Sequence, residues 1–267
     1  MELRIAIAQM SIVPGRPEVN HAAAREFAAQ AAAAGAGLLM LPELWATGYD
    51  LAHAGEYAAP LDGGHFQWMA GLAQAYGLYA LGTGLEANPA GRPFNTAALF
   101  GPQGELLATY QKTHLFPPLG ETVHMTPGAA APVFDLPWGR TALAICYDLR
   151  FPELWRRFMA AGARLVLIPA EWPIRRVEHW RLLLRARAVE NQLFVAGCNR
   201  AGEGPDTPDP FGGYSAVVDA WGHVLVEAGT DPELILATLD LDEVERCRTT
   251  FPWLADRRPD IYYSADR

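Results

Sequence analysis

TALAICYDLRFPELWRR, residues 141–157, reads as a buried strand, a sharp turn and a helix. The run TALAIC (141–146) is too short for a helix and lacks the alternation of a half-exposed strand, so it suits a strand covered on both faces. Pro152 can open a helix, because the first turn has no use for the missing N–H, and the pattern predicts that helix over 152–161. Outward from this stretch the same alternation recurs. Downstream, RLVLIPA (164–170) predicts a strand, 177–191 a helix and NQLFVAGCN (191–199) a strand. YSAVVDAWG (214–222) and HVLVEAG (223–229) predict two strands joined at Gly222, and ELILATLDL (233–241) predicts another. Upstream, LRIAIAQM (3–10), LLMLPE (38–43) and LYALGTGLE (78–86) predict strands, with helices over 17–34 and 64–76 between them. NTAALFG (95–101) and ELLATYQK (105–112) flank a Pro-Gln-Gly turn and predict a hairpin. Alternating strands and helices imply an α/β fold. The inserted hairpins argue against a simple doubly wound sheet and for two stacked sheets with helices outside. No repeat, linker or charge run divides the chain, so residues 1–267 are expected to form one domain. The aromatic tail TFPWLADRRPDIYY (250–263) is expected to pack on a partner or on another part of the fold.

Composition narrows the function classes. A net charge of −9 with no basic cluster argues against nucleic acid and anionic membrane as partners. No apolar stretch approaches the roughly 18 residues a membrane span needs. The start, MELRIAIAQMSIVPG, carries Glu2 and Arg4 inside its apolar part and does not read as a signal segment, so a cytoplasmic protein is expected. Three distant cysteines make no CxxC pair and no disulfide framework, and no His- or Cys-rich cluster suggests a metal or other cofactor. Of the 21 basic residues, all but Lys112 are arginine. The abundance of Ala, Gly, Pro and Arg fits a GC-rich coding bias, which exchanges surface lysine for arginine at little cost. A lone lysine therefore marks a position that needs a compact ammonium rather than a planar guanidinium.

Three polar residues stand where apolar runs stop: Glu43, Lys112 and Cys146. Catalytic groups in α/β proteins gather at the carboxyl ends of strands. A strand–turn–helix can expose Cys146 as a nucleophile and aim the backbone N–H of Tyr147 at a reacting carbonyl. A free thiol needs a nearby base or cation to react at neutral pH. Glu43, with Trp45 and Tyr49 near it in sequence, suits the base, because apolar walls raise a carboxyl pKa. Glu121, nine residues after Lys112, can orient the lysine or Glu43. Cys198 and Cys247 read as core, and His114 and His179 as structural residues.

LPELWATGY (41–49), YQKTHLF (110–116) and CYDLRFPEL (146–154), in this order, resemble the nitrilase superfamily of carbon–nitrogen hydrolases. The resemblance runs from AQM (8–10) to RRPDIY (257–262). It implies a four-layer αββα sandwich, a dimer or higher homo-oligomer, and a catalytic triad of Glu43, Lys112 and Cys146 joined by Glu121. PAEWPIRRVEHWRLLLRARAVENQLFVAGCNR (169–200) is similar to the omega-amidase branch. The implied reaction is hydrolysis of a small carboxamide by water, through a thioester, with no cofactor. A 2-oxo acid omega-amide has a distal carboxylate, for which Arg175 is the favoured clamp in a loop that also holds Glu171, Trp172 and Arg176. Tyr49, Phe116 and Trp172 are expected pocket walls. Nitrilases, N-carbamoyl amine hydrolases and amidases acting on a glutathione-derived amide share the motifs and stay open, as does a binding protein on the same fold.

Overall fold

Strand β1 (Glu2–Gln9) sorts its side chains by size: Leu3, Ile5 and Ile7 point one way, Ala6 and Ala8 the other. The large side chains fill the space between two sheets; the alanines let helices lie close on the outer face. The computed structural model describes residues 2–203 and 210–262. After β1 come α1 (Pro17–Ala33), β2 (Leu38–Met40), α2 (Ala54–Tyr57), α3 (Gly64–Tyr76), β3 (Tyr79–Glu86), β4 (Phe94–Phe100) and β5 (Leu106–Gln111). Next are α4 (Glu121–His124), β6 (Val133–Leu136), β7 (Gly139–Leu143), α5 (Pro152–Ala160), β8 (Leu165–Ala170), α6 (Val177–Asn191) and β9 (Phe194–Asn199). The last are β10 (Ala201–Gly202), β11 (Phe211–Gly212), β12 (Ala216–Val218), β13 (Val224–Glu227), β14 (Glu233–Asp240), α7 (Asp242–Thr250) and α8 (Pro259–Tyr262).

Two six-stranded mixed sheets form, in the orders β14-β1-β2-β3-β4-β5 and β13-β12-β9-β8-β7-β6. Each has three parallel strands at its centre, β1-β2-β3 and β7-β8-β9, with antiparallel strands outside. Helices α1 and α3 cover the outer face of the first sheet through Ala24, Ala28, Phe66 and Met69. Helices α5 and α6 bring Trp155, Phe158, Trp180 and Leu184 to the second. The layers are helix, sheet, sheet, helix, the αββα sandwich that the resemblance implied. Burying one such aromatic or leucine side chain contributes about 1.5–3 kcal/mol. Gly197 on β9 allows the tight fit of α6: a Cβ there would stand 2.6 Å from Trp180.

Several boundaries differ from the sequence reading. The strand expected over 141–146 stops at Leu143, and Cys146 begins a short 3-10 helix, Cys146–Arg150. The strand expected over 38–43 stops at Met40, so Glu43 lies in the turn beyond it. The strand expected over 214–222 shrinks to Ala216–Val218, because Tyr214 takes a positive φ of 50° and Asp219 turns the chain by accepting from the N–H groups of Trp221 and His223. Strand β6 and helix α7 were not expected. The tail packs partly on the molecule, with Leu254 against the core and Gln192 Nε2 donating to the Phe251 carbonyl (2.9 Å). Its last expected residue, Tyr263, lies outside the described residues.

Candidate active site

The turn after β2 buries Glu43 completely. Leu44, at φ 43°, donates its N–H to Thr83 Oγ1 (2.6 Å), and its carbonyl accepts from the N–H groups of Thr47 (3.0 Å) and Gly48 (2.7 Å). Lys112 directly follows β5 and is pinned on both sides. Its N–H donates to the Asn95 carbonyl and its carbonyl accepts from the Gly128 N–H, both at 2.8 Å. Gly128 must lack a side chain, because a Cβ would collide with the Gln111 carbonyl.

These turns bring distant charges together. Lys112 Nζ donates to Glu43 Oε1 (2.7 Å) and to Glu121 Oε1 (2.6 Å), and all three side chains are buried. Asn95 Nδ2 also donates to Glu43 Oε1 (2.8 Å), which leaves Glu43 Oε2 without a partner among the described residues. Glu121 is held in turn by the Tyr49 hydroxyl on Oε1 (2.7 Å) and the Phe116 N–H on Oε2 (2.8 Å). Burial opposes the Lys112 charge, but Glu43 and Glu121 outweigh it and hold its pKa well above the usual range. Burial, aided by Glu121, raises the Glu43 pKa against the pull of Lys112 and of the neighbouring Cys146 thiol. The Cys146 pKa is also pushed well up, first by burial and then by Glu43, while Lys112 and the Glu171 N–H oppose the rise. At neutral pH the sulfur is a thiol, with the buried Glu43 carboxyl beside it.

Cys146 sits at φ 46°, a left-handed backbone that a non-glycine residue rarely adopts. Asp148 holds that turn against the lysine loop. Its Oδ1 accepts from the N–H (3.0 Å) and Nδ1 (2.8 Å) of His114, and its Oδ2 from the Tyr110 hydroxyl (2.8 Å) and the Ile145 N–H (3.0 Å). One buried carboxylate thus ties the residues flanking Lys112 to the residue before Cys146.

Cys146 opens into a cavity of about 200 Å³, lined also by Tyr49, Phe116, Tyr147, Glu171, Trp172 and Arg175. Every expected wall residue borders it. Glu171 is buried; Arg200 Nη1 donates to its Oε2 (2.6 Å), whereas Oε1 has no partner among the described residues. Burial lifts the Glu171 pKa to about 7, with Arg200 opposing. Arg150 and Arg176 line the same cavity, above the rings of Trp172 (4.5 Å) and Phe116 (5.3 Å), and neither pairs with a carboxylate among the described residues. Among the described residues no cluster of three or more His, Cys, Asp or Glu is arranged to hold a metal.

A family model described as carbon-nitrogen hydrolase matches residues 4–249. The chain belongs to the carbon-nitrogen hydrolase family. The hydrolase is 37% identical to a 2-oxoglutaramate amidase of Bacillus subtilis, over 98% of this chain and 100% of that one. It is 34% identical to the human omega-amidase NIT2, over 97% and 96%. It is also similar to the structure of an amidase from Nesterenkonia sp. AN1 in which acrylamide has added to the active-site cysteine. There the TM-score is 0.81 at 31% identity, covering 94% of this chain and 99% of that one.

Sequence reasoning missed four residues in and around this hydrolase's candidate site. Asn95 carried a usable signal, since asparagine is disfavoured within a strand. Asp148 did too, as an acid inside a buried stretch. Arg150 and Arg200 carried none, because arginine is this chain's default cation. Of the residues read as structural, His114 binds Asp148 and stacks on Phe151, and Cys198 donates to the Ala8 and Met40 carbonyls.

Proposed function

We propose that this chain is a single-domain, cysteine-dependent amidase that hydrolyses small carboxamides, with 2-oxo acid omega-amides such as 2-oxoglutaramate as its preferred class. The observation that carries the reading is the division of labour on Glu43. One oxygen is fixed by Lys112 and Asn95, and the other is left unpartnered beside a thiol. In the proposed reaction Glu43 takes the Cys146 proton as sulfur attacks the amide carbon. The oxyanion is stabilised by the third N–H of Lys112 and the backbone N–H of Tyr147. Glu43 returns the proton to nitrogen, the C–N bond breaks and ammonia departs, leaving a thioester. Water, deprotonated by Glu43, then attacks the thioester; carboxylate leaves and the thiol is restored. Glu121 keeps Lys112 aligned throughout. The names of the relatives, 2-oxoglutaramate amidase and omega-amidase, support the substrate class.

A distal carboxylate would meet guanidinium at the cavity mouth. Arg175 was the sequence choice and lines it, but Arg150 and Arg176 are less exposed and lack an acidic partner among the described residues, which favours them. We read the protein further as a cytoplasmic homodimer or larger homo-oligomer. The test is ammonia release from 2-oxoglutaramate, aliphatic amides, carbamoyl compounds and nitriles measured side by side, with Cys146→Ala as control. The expected result is fastest turnover of the 2-oxo acid amide, an acyl adduct on Cys146 by mass spectrometry, and no turnover in the variant. A nitrile-only profile would overturn the substrate class; full turnover by a folded Cys146→Ala would overturn the nucleophile.

A further inference from the structure

We infer that the Glu171 side chain is a further substrate contact, which selects carboxamides over acyl compounds lacking N–H by accepting a hydrogen bond from the amide nitrogen. The inference rests on the amidase reading above and extends it to a residue outside the Glu43, Lys112 and Cys146 constellation. Glu171 is the first residue past β8, and it shares a cavity wall with Cys146, whose thiol pKa its N–H helps to hold down. Its side chain borders the cavity that Cys146 opens into. The carboxyl cannot swing freely. Arg200 grips Oε2 at 2.6 Å, and Arg200 is itself anchored by the Ile12 carbonyl (2.6 Å) and lies 3.8 Å over the Phe211 ring. What remains is Oε1, buried and unpartnered among the described residues. A buried acceptor left unpaired is unfavourable, and a bound donor relieves it. Glu43 must give and take protons through the cycle; an oxygen already fixed by arginine is suited instead to orient the nitrogen. A primary carboxamide presents two N–H groups. An ester oxygen and a nitrile nitrogen present none.

The test compares two substrates that pass through the same acyl-enzyme, succinamate and the monomethyl ester of succinate, in the wild-type enzyme and in Glu171→Gln. The glutamine can keep its oxygen on Arg200, which turns an NH2 group toward the cavity in place of an acceptor. The kcat/KM for succinamate is expected to fall about tenfold to a hundredfold, and that for the ester to change by less than about threefold. Equal losses on both substrates would mean that Glu171 only shapes the fold, and unchanged succinamate turnover would mean that it touches nothing; either result overturns the inference. Should Glu171→Gln fail to fold, Glu171→Asp carries the same comparison, since it withdraws the acceptor by one methylene. The amide-to-ester ratio must then fall, and an unchanged ratio refutes the contact. A wild-type enzyme that releases no ammonia from any carboxamide would instead sink the amidase reading itself.

Discussion

Lys112 Nζ sits 2.7 Å from Glu43 Oε1 and 2.6 Å from Glu121 Oε1. A chain that spends arginine everywhere else keeps one ammonium, and that ammonium lies sealed between two carboxylates. A guanidinium is too broad for this space. Lys112→Arg is therefore expected to lower kcat at least about a hundredfold through loss of oxyanion stabilisation. The crowding should also cost about 1–3 kcal/mol in a urea titration. The strain at Cys146 could not be read, because nothing in an apolar run ending in cysteine announces a left-handed residue. It makes an unusual forecast: Cys146→Ala and Cys146→Gly should both be inert, yet the glycine variant should be the more stable by about 1 kcal/mol, the reverse of the ordinary order. Differential scanning calorimetry of the pair checks this. Asp148 escaped notice for a related reason, since its four donors come from Tyr110, His114 and Ile145, on two separate stretches of chain. Asp148→Asn exchanges one acceptor for a donor that faces other donors, which should cost about 1–3 kcal/mol. It should lower kcat with KM nearly unchanged, as steady-state kinetics on the preferred amide would reveal.

At the scale of elements, strongly patterned segments were legible and weakly patterned ones were not. Helix α1 announces itself through Pro17 and a long run of alanine, and α3 ends at Gly77, which takes the left-handed conformation. Helix α7 is almost wholly polar and buries only Val244 and Cys247, so no apolar stripe marked it. Strand β6 is four residues long, with no fully buried residue, on a sheet edge. Between α1 and α3 lies a contact that sequence could not show: His21 stacks on Trp68 (4.3 Å) and its Nε2 meets His65 Nδ1 at 3.2 Å. Burial, reinforced by His65, lowers the His21 pKa to about 4. The folded state thus keeps this imidazole neutral while the unfolded chain protonates it near pH 6.5. Its contribution to stability is complete above pH 6.5 and is lost as the pH falls toward 4. The melting temperature should drop between pH 7 and pH 4.5, and by less in His21→Phe, which preserves the stacking.

For the molecule as a whole, alternating strands and helices pointed to two sheets, but not to their strand order, since β14 returns from the far end of the chain to pair with β1. That closure links residues almost the full sequence apart, which no local pattern records. The outer face of α6 carries Leu182, 66% exposed, and Val189 two turns later, 42% exposed. The proposed self-association would cover them; Leu182→Glu is expected to shift sedimentation toward a smaller species, and an unchanged profile would exclude this face. The layering has one more consequence. Glu43 and Lys112 hang from the first sheet, Cys146 and Glu171 from the second, so the proposed reacting centre exists only while the two sheets stay in register. Turnover is then a ruler laid across the sandwich, and in a urea titration ammonia release should fade before circular dichroism registers any lost strand.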